Sequence, residues 1–341
     1  KNRGILEISG CMESQKAHLM YGLSGLFPCH LVIAADEKSA KELYEDYRFY
    51  DKRVYYYPAK DLLFFQADIH GNLLIRQRMQ VIRALLERED EITVVTSIDG
   101  CMDYLAPLEK IEKQLIHFRN DSTLDMDKLT AALVHMGYER VGQVEMPGQF
   151  SIRGGIIDIY SLTEENPWRI ELWGDEIDSI RSFDAQSQRS LENLDDVTIY
   201  PAAEQPMEKN GVSFLDYFKE TETLFFLDEL NHLEENAKAV QEEFQQSCEN
   251  RKEKGEISLS GDWMCTWEEL CHKINDRNCV AMSLLDPKKS NWKISGQFNI
   301  TVKSMSSYQS SFELLVKDLK QYKKEDYRIV LLSGSRTRAE R

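Results

Sequence analysis

The sequence predicts an α/β protein built on a parallel sheet whose strands come from both ends of the chain, with a hairpin-rich segment inserted between them. Three observations carry that expectation. Short apolar runs at 31–35, 54–57 and 92–96 alternate with stretches of helical periodicity, the pattern of strands covered on both faces by crossover helices. After the insertion another apolar run, Leu224-Phe-Phe-Leu, ends in Asp228 and Glu229 and again leads into a helical stretch. In between, Gly154-Gly155 and Gly174-Asp175 punctuate period-2 runs, which is the turn chemistry of β-hairpins.

The first element is the run Ile8-Ser-Gly10-Cys-Met-Glu-Ser-Gln15-Lys16-Ala17, a strand end, a Gly-containing loop and a helix start. A phosphate loop would sit there, and the spacing fits the frame G-x-x-x-x-G-K-[ST]. The chemistry does not fit. Gln15 replaces the Gly that lets the backbone wrap phosphates, Ala17 replaces the hydroxyl that holds Mg²⁺, and Glu13 puts a negative charge in the anion cradle. Gly10, Gln15, Lys16 and Ala17 therefore read as a degenerate nucleotide loop with no cofactor, and 224–229 as its matching acid-tipped strand.

Further along, Asp36 precedes a helix with Ala40 and Leu43 at helical spacing, and Pro58 closes the Tyr-rich strand. From Asn72, a good N-cap, to Arg88, the positions Leu74, Ile75, Met79, Ile82, Leu85 and Leu86 trace an amphipathic helix. Ahead of it, Leu62-Leu-Phe-Phe65 reads as core, with an interaction loop as the alternative. The insertion opens with a helix over 127–136 stopped by Gly137, continues as hairpins to Asp184, and leaves through a strand at 197–200. A charged helix then runs to about Glu249, and 250–261 reads as a polar loop or linker. The chain closes with an amphipathic helix at 312–322, a strand at 327–332 and the start of a charged helix. That cut αβ unit, with Lys rather than Met at position 1, implies a piece of a longer protein.

Composition excludes several function classes. The net charge is -16, and within 116–196 seven Lys/Arg stand against sixteen Asp/Glu, a net of -9. Such a surface repels nucleic acid and prefers a basic protein face. No apolar run is long enough to span a bilayer, so a cytoplasmic, soluble protein is expected. The seven cysteines lack a CxxC pair, and Cys265, Cys271, His272 and Cys279 are spaced poorly for zinc. No metal and no catalytic constellation is expected.

On the second hairpin, alternation puts Trp168, Ile170 and Leu172 on one face and Arg169, Glu171 and Trp173 on the other. Arg and Trp dominate interface hot spots, because each presents a large rigid area and Arg adds a forked donor. The pattern alone leans to the plainer reading, a solvated face with one snorkelling Arg and a half-covered Trp.

The run from Gly137-Tyr-Glu-Arg-Val through Arg153-Gly-Gly-Ile-Ile-Asp-Ile and Arg169-Ile-Glu-Leu-Trp-Gly-Asp-Glu-Ile-Asp-Ser-Ile-Arg-Ser-Phe-Asp184 to Ser187-Gln-Arg-Ser190 resembles the amino-terminal region of the bacterial transcription-repair coupling factors (Mfd), itself similar to the excision-repair protein UvrB. The resemblance covers 1 to about 305 and loosely the remainder. It implies a UvrB-like α/β domain from 1–115 plus about 217–305, an inserted UvrA-binding domain at 116–198, a short connecting remnant at 199–216, and the start of a further α/β domain at 306–341. It implies UvrA, the damage-recognition ATPase of nucleotide excision repair, as partner, with UvrA-contacting arginines at Arg153 and Arg169 and an aromatic at Trp173, where the family more often has Phe. The parent protein would be an ATP-driven DNA translocase that also meets RNA polymerase, DNA and its own carboxy-terminal domain. A damage-probing hairpin of the UvrB kind is expected to be absent, and the roughly twenty residues between Ala203 and Leu224 are shorter than the helical connection usual in the family.

Three readings follow. The leading one is a non-catalytic module that recruits UvrA. The second is an active, UvrB-like ATP-dependent DNA-processing protein, which Gln15 and Ala17 oppose. The third is a structural scaffold, which expects Arg169 and Trp173 to be covered by the chain's own atoms.

Overall fold

A computed structural model describes residues 4–60, 72–89, 91–204, 211–253, 264–285, 292–302, 308 and 311–330. The chain divides into two compact units, Lys1–Ile300 and Thr301–Arg341. The first opens with β1 (Gly4–Ser9), α1 (Glu13–Ser24), β2 (Cys29–Ala34), α2 (Glu37–Tyr47), β3 (Val54–Tyr57), α3 (Asn72–Leu86) and β4 (Ile92–Ser97), followed by the short β5 (Tyr104–Leu105) and α4 (Leu108–Glu112). The inserted segment comprises β6 (Ile116–Arg119), α5 (Met126–His135), β7 (Glu139–Arg140), β8 (Gln149–Arg153), β9 (Ile156–Ile159), β10 (Trp168–Trp173), β11 (Glu176–Phe183), β12 (Ser190–Leu194) and β13 (Asp196–Ile199). After it come β14 (Val212–Ser213), β15 (Thr223–Asp228), α6 (Leu230–Glu253), α7 (Trp267–Asn275), β16 (Asn278–Ser283) and β17 (Ile294–Asn299). The second unit carries α8 (Phe312–Lys324).

The expected discontinuous sheet is present. Seven strands pair in the order β17-β1-β16-β15-β2-β4-β3, every pair parallel. Because successive side chains alternate faces, Phe225 and Leu227 join Met79, Ile82, Leu233 and Leu270 in one core, while Phe226 joins Met20, Ala40, Leu43 and Met282 in another. Asp36 caps α2 by accepting the Ser39 N–H at 2.7 Å. The insertion builds its own sheet in the order β12-β11-β10-β9-β8-β7, antiparallel apart from β7 beside β8. Its inner face packs Phe150, Ile157, Ile159, Trp168 and Ile170 against Leu129 and Leu133 of α5.

The local differences from the sequence reading are two shifted helix ends and one strand. Residues 250–253 continue α6 instead of starting a loop, and 254–263 lie outside the described residues, as do Leu62 to Phe65. In the second unit, 327–330 carry no regular structure where a strand was expected. α3 stops at Leu86, two residues early, because Arg88 takes a left-handed φ of 52°.

The two ends of the insertion meet at one buried cation. Arg78 of α3 is 0% exposed. Its Nε donates to Glu204 Oε1 at 2.6 Å, its Nη1 to the Pro58 carbonyl at 2.9 Å and its Nη2 to Asp103 Oδ2 at 3.0 Å, and the guanidinium stacks 4.2 Å from the Tyr57 ring. Lys60 is a further partner of Glu204. Burial alone would raise the Glu204 pKa, but Arg78 and Lys60 outweigh it and lower the carboxyl to about 2. A carboxyl depressed in this way stabilises the fold above its ordinary 4.5, and that contribution is lost as pH falls towards about 2. Glu204→Gln should therefore be less stable than the natural chain by about 3 kcal/mol at pH 7. In urea unfolding the gap should shrink between about pH 4.5 and pH 2; a gap independent of pH would mean that Glu204 is not held ionised.

Candidate functional site

The outer face of the inserted sheet is assembled by two hairpins whose tips lie at the same end. Arg153 pairs with Ile156 across Gly154-Gly155, and Trp173 with Glu176 across Gly174-Asp175. The first loop residue is left-handed in each, φ 59° at Gly154 and 65° at Gly174, as two-residue turns of the II′ kind require. The tips touch through Leu172 N–H, which donates to the Gly155 carbonyl at 2.8 Å. A Cβ at Gly155 would stand 3.1 Å from the Leu172 oxygen, tighter than side chains normally pack.

Pairing register brings Ser151, Asp158, Arg169 and Arg181 into one cross-strand row. Arg169 Nε donates to Asp158 Oδ1 at 2.7 Å and its Nη2 to Oδ2 at 2.9 Å, a bidentate fork. The same Nη2 reaches Gln188 Oε1 at 3.1 Å, and the guanidinium lies 4.4 Å over Phe183. Arg153 Nη2 donates to Asp158 Oδ2 at 2.6 Å. Arg181 pairs with Glu171. Every arginine of this face is thus matched to a carboxylate, but exposure separates them: the Arg169 side chain is 15% exposed and that of Arg153 47%.

Trp173 is 83% exposed on the same face, beyond the end of β9. The loop before α5 braces its hairpin. Leu124 N–H donates to the Asp175 carbonyl at 2.8 Å, Asp121 N–H to Ile177 O at 3.0 Å, and Ile177 N–H to Ser122 O at 2.8 Å. A large aromatic is therefore held in water on a fixed turn, an arrangement suited to burial by a partner.

The loop at Gly10 and the start of α1 have a different geometry. Gly10 is left-handed at φ 79°, and a Cβ there would collide with the Ile300 carbonyl, since Ile300 N–H donates to Ser9 O at 2.9 Å beside the loop. Gln15 turns back to accept the Met12 N–H at 3.2 Å, and Ala17 is buried. Lys16 is 0% exposed. Its ammonium lies 2.6 Å from Asp228, 2.8 Å from Glu229 and 3.0 Å from Glu13. Burial opposes the charge on Lys16, but Asp228 and the hydrogen bonds that Lys16 donates to all three acids outweigh it and raise the pKa. Desolvation dominates at Asp228, whose carboxyl is pushed up to about 6 despite Lys16. Three acids share one cation, so the most buried of them is left the least compensated. Glu229 sits at a left-handed φ of 53° and also accepts Leu284 N–H at 2.8 Å.

Comparison with known proteins places the hairpin face in a named domain. Residues 116–204 match the UvrB interaction domain. The chain is 28% identical to the transcription-repair-coupling factor of Bacillus subtilis over 409 aligned positions, which take in 98% of this chain and 34% of the relative. The coupling factors of Staphylococcus aureus and Staphylococcus haemolyticus are each 35% identical over 48% of this chain and 14% of their own length. The resemblance to the coupling factors holds. This chain spans about a third of the Bacillus relative, and since the 409 positions exceed its 341 residues, that coupling factor carries segments absent here.

Against that background the structure unites Arg153, Arg169 and Trp173 on one face, and places Gly10 in the loop that leads into α1 and Gln15, Lys16 and Ala17 in the first turns of that helix. Sequence reading missed Asp158, the acid both arginines share, although an Asp alternating with Ile157 and Ile159 marks a charge facing away from the core. It also missed Lys16 as the partner of Asp228, a pairing 212 residues apart. Among the described residues no group of three or more His, Cys, Asp or Glu could hold a metal, and no helix is long and apolar enough to cross a membrane.

Lys16→Met should destabilise the chain by about 3–5 kcal/mol, because it strands buried Asp228 without its cation. A carboxyl raised from 3.8 to about 6 keeps its proton in the fold after the unfolded chain has lost it. Its contribution is therefore full below about pH 4 and declines as pH rises to about 6. Chemical denaturation across that range should show the decline in the natural chain and not in Asp228→Asn.

Proposed function

We propose that this chain is a recruitment module of a transcription-repair coupling factor and that it docks UvrA through the hairpin face of its inserted domain. The carrying observation is Trp173, 83% exposed on a braced turn within the segment that matches the UvrB interaction domain. Arg153 would supply charge-assisted hydrogen bonds to carboxylates or carbonyls of UvrA, and Trp173 would bury against an apolar patch. The exposure of Trp173 argues against a scaffold with its faces all internal. Arg169, mostly covered, fits a supporting position better than a free contact.

In this reading the fragment has no catalytic role. An ammonium already enclosed by Asp228, Glu229 and Glu13 leaves little positive charge for a triphosphate, and the Ile300 backbone stands beside the loop. These contacts weigh against the UvrB-like ATP-dependent reading. The domain plan read from the sequence, with the UvrB-like domain interrupted by 116–198, belongs to the same proposal, as does a cytoplasmic parent protein whose translocase acts on DNA and stalled RNA polymerase. There the parent's own carboxy-terminal domain would cover this face at rest.

Calorimetric titration of the chain with UvrA should show binding, weakened at least tenfold, or about 1.4 kcal/mol, in a folded Trp173→Ala variant. Mg·ATP titrated into the same sample should give no saturable signal. Failure of the natural chain to bind UvrA would sink the proposal.

A further inference from the structure

We infer that Asp158 is the positioning residue of the docking face: its buried carboxylate fixes Arg153 as the contacting arginine and holds Arg169 as a strut. This rests on the proposed reading of the face as a UvrA-docking surface.

Asp158 is 0% exposed, so a partner cannot touch it. Its two oxygens accept three hydrogen bonds: Oδ1 from Arg169 Nε at 2.7 Å, and Oδ2 from Arg169 Nη2 at 2.9 Å and Arg153 Nη2 at 2.6 Å. Two guanidiniums converging on one point repel each other unless an anion lies between them, and Asp158 is that anion. The arginines emerge unequal. Arg169 directs Nε and Nη2 inward, adds Gln188 and lies on Phe183, which leaves little of it for a partner. Arg153 is tied to Asp158 at one nitrogen and its side chain is 47% exposed, which leaves other N–H groups for a partner on a side chain whose freedom is already restricted. An arginine ordered before binding loses less entropy on contact than a free one. The group it fits is a carboxylate or carbonyl on the partner, and the net positive charge of two arginines over one aspartate stands out on an otherwise acidic domain.

The test is a double-mutant cycle on UvrA binding, measured by calorimetry with folding checked by circular dichroism and thermal melting. Folded Asp158→Asn should bind UvrA at least tenfold more weakly, although the residue is unreachable. The double variant Asp158→Asn/Arg153→Ala should bind no more weakly than Arg153→Ala alone, because Asp158 acts through Arg153. A purely structural Asp158 would lower the melting temperature and leave the affinity of the folded protein unchanged; that outcome, or losses that add, overturns the inference. Should Asp158→Asn not fold, Asp158→Glu keeps the charge and moves it by one methylene; it should fold and still lose affinity, and undiminished binding overturns the inference. Arginine side-chain NMR of the natural chain supplies a readout independent of UvrA. The Nε–H signal of Arg169 and the Nη2 proton signals of Arg153 should exchange slowly with water and lose that protection in Asp158→Asn, whereas fast exchange in the natural chain overturns the positioning. If the natural chain fails to bind UvrA while the NMR signals behave as expected, the docking reading falls and the claim on affinity falls with it, and the fixed geometry stands.

Discussion

The constraint on which the rest of this structure depends is that a buried charge must find its counter-charge, and Arg78 shows it most fully. A guanidinium wholly removed from water is tolerable only with its donors satisfied. Here Pro58, Asp103 and Glu204 satisfy them, with the Tyr57 ring against the flat face. Those partners come from the end of a strand of the large sheet, from the segment before the insertion and from the residue at which the chain leaves it. One side chain thus ties the point of departure to the point of return, and Tyr57 passes the packing on by stacking on Phe214 at 3.8 Å.

The same constraint acts at the two sites of functional interest, with different results. At the start of α1 the cation of Lys16 is enclosed by acids of the chain. Lys16, Asp228 and Glu229 form a joint between α1 and the end of β15. On the inserted sheet, Asp158 gathers Arg153 and Arg169 but leaves the pairing partly open to water. In the first case charge is spent entirely on the fold, and in the second a residue of positive character survives beside a solvent-exposed tryptophan. The difference lies in what covers each cluster: the backbone at Ile300 stands over the loop, whereas the hairpin tips project from the edge of their sheet.

Much of this architecture was legible in local sequence. Strand and hairpin positions followed from periodicity and turn residues, because face alternation and left-handed glycines are local requirements. The ends of α3 and α6 were less legible. Where a helix stops is set by a single residue such as Arg88 turning left-handed, or by a polar stretch continuing the last turns, and composition does not encode that choice strongly. The alternation of Arg169 and Trp173 away from the core was readable too, but not their unequal exposure.

What the sequence determined by itself is therefore the set of elements, the Gln15 and Ala17 that flank Lys16 at the start of α1, and the residues available on the outer hairpin face. Each follows from neighbours within a few positions. The tertiary structure decided which charges are spent and which remain. It joined Lys16 to Asp228 across 212 residues, Arg78 to Glu204 across 126, and Arg169 to an aspartate on the next strand while leaving Trp173 in water. The physical reason is that ion pairing and burial depend on distance in space, and only the closed sheets set those distances.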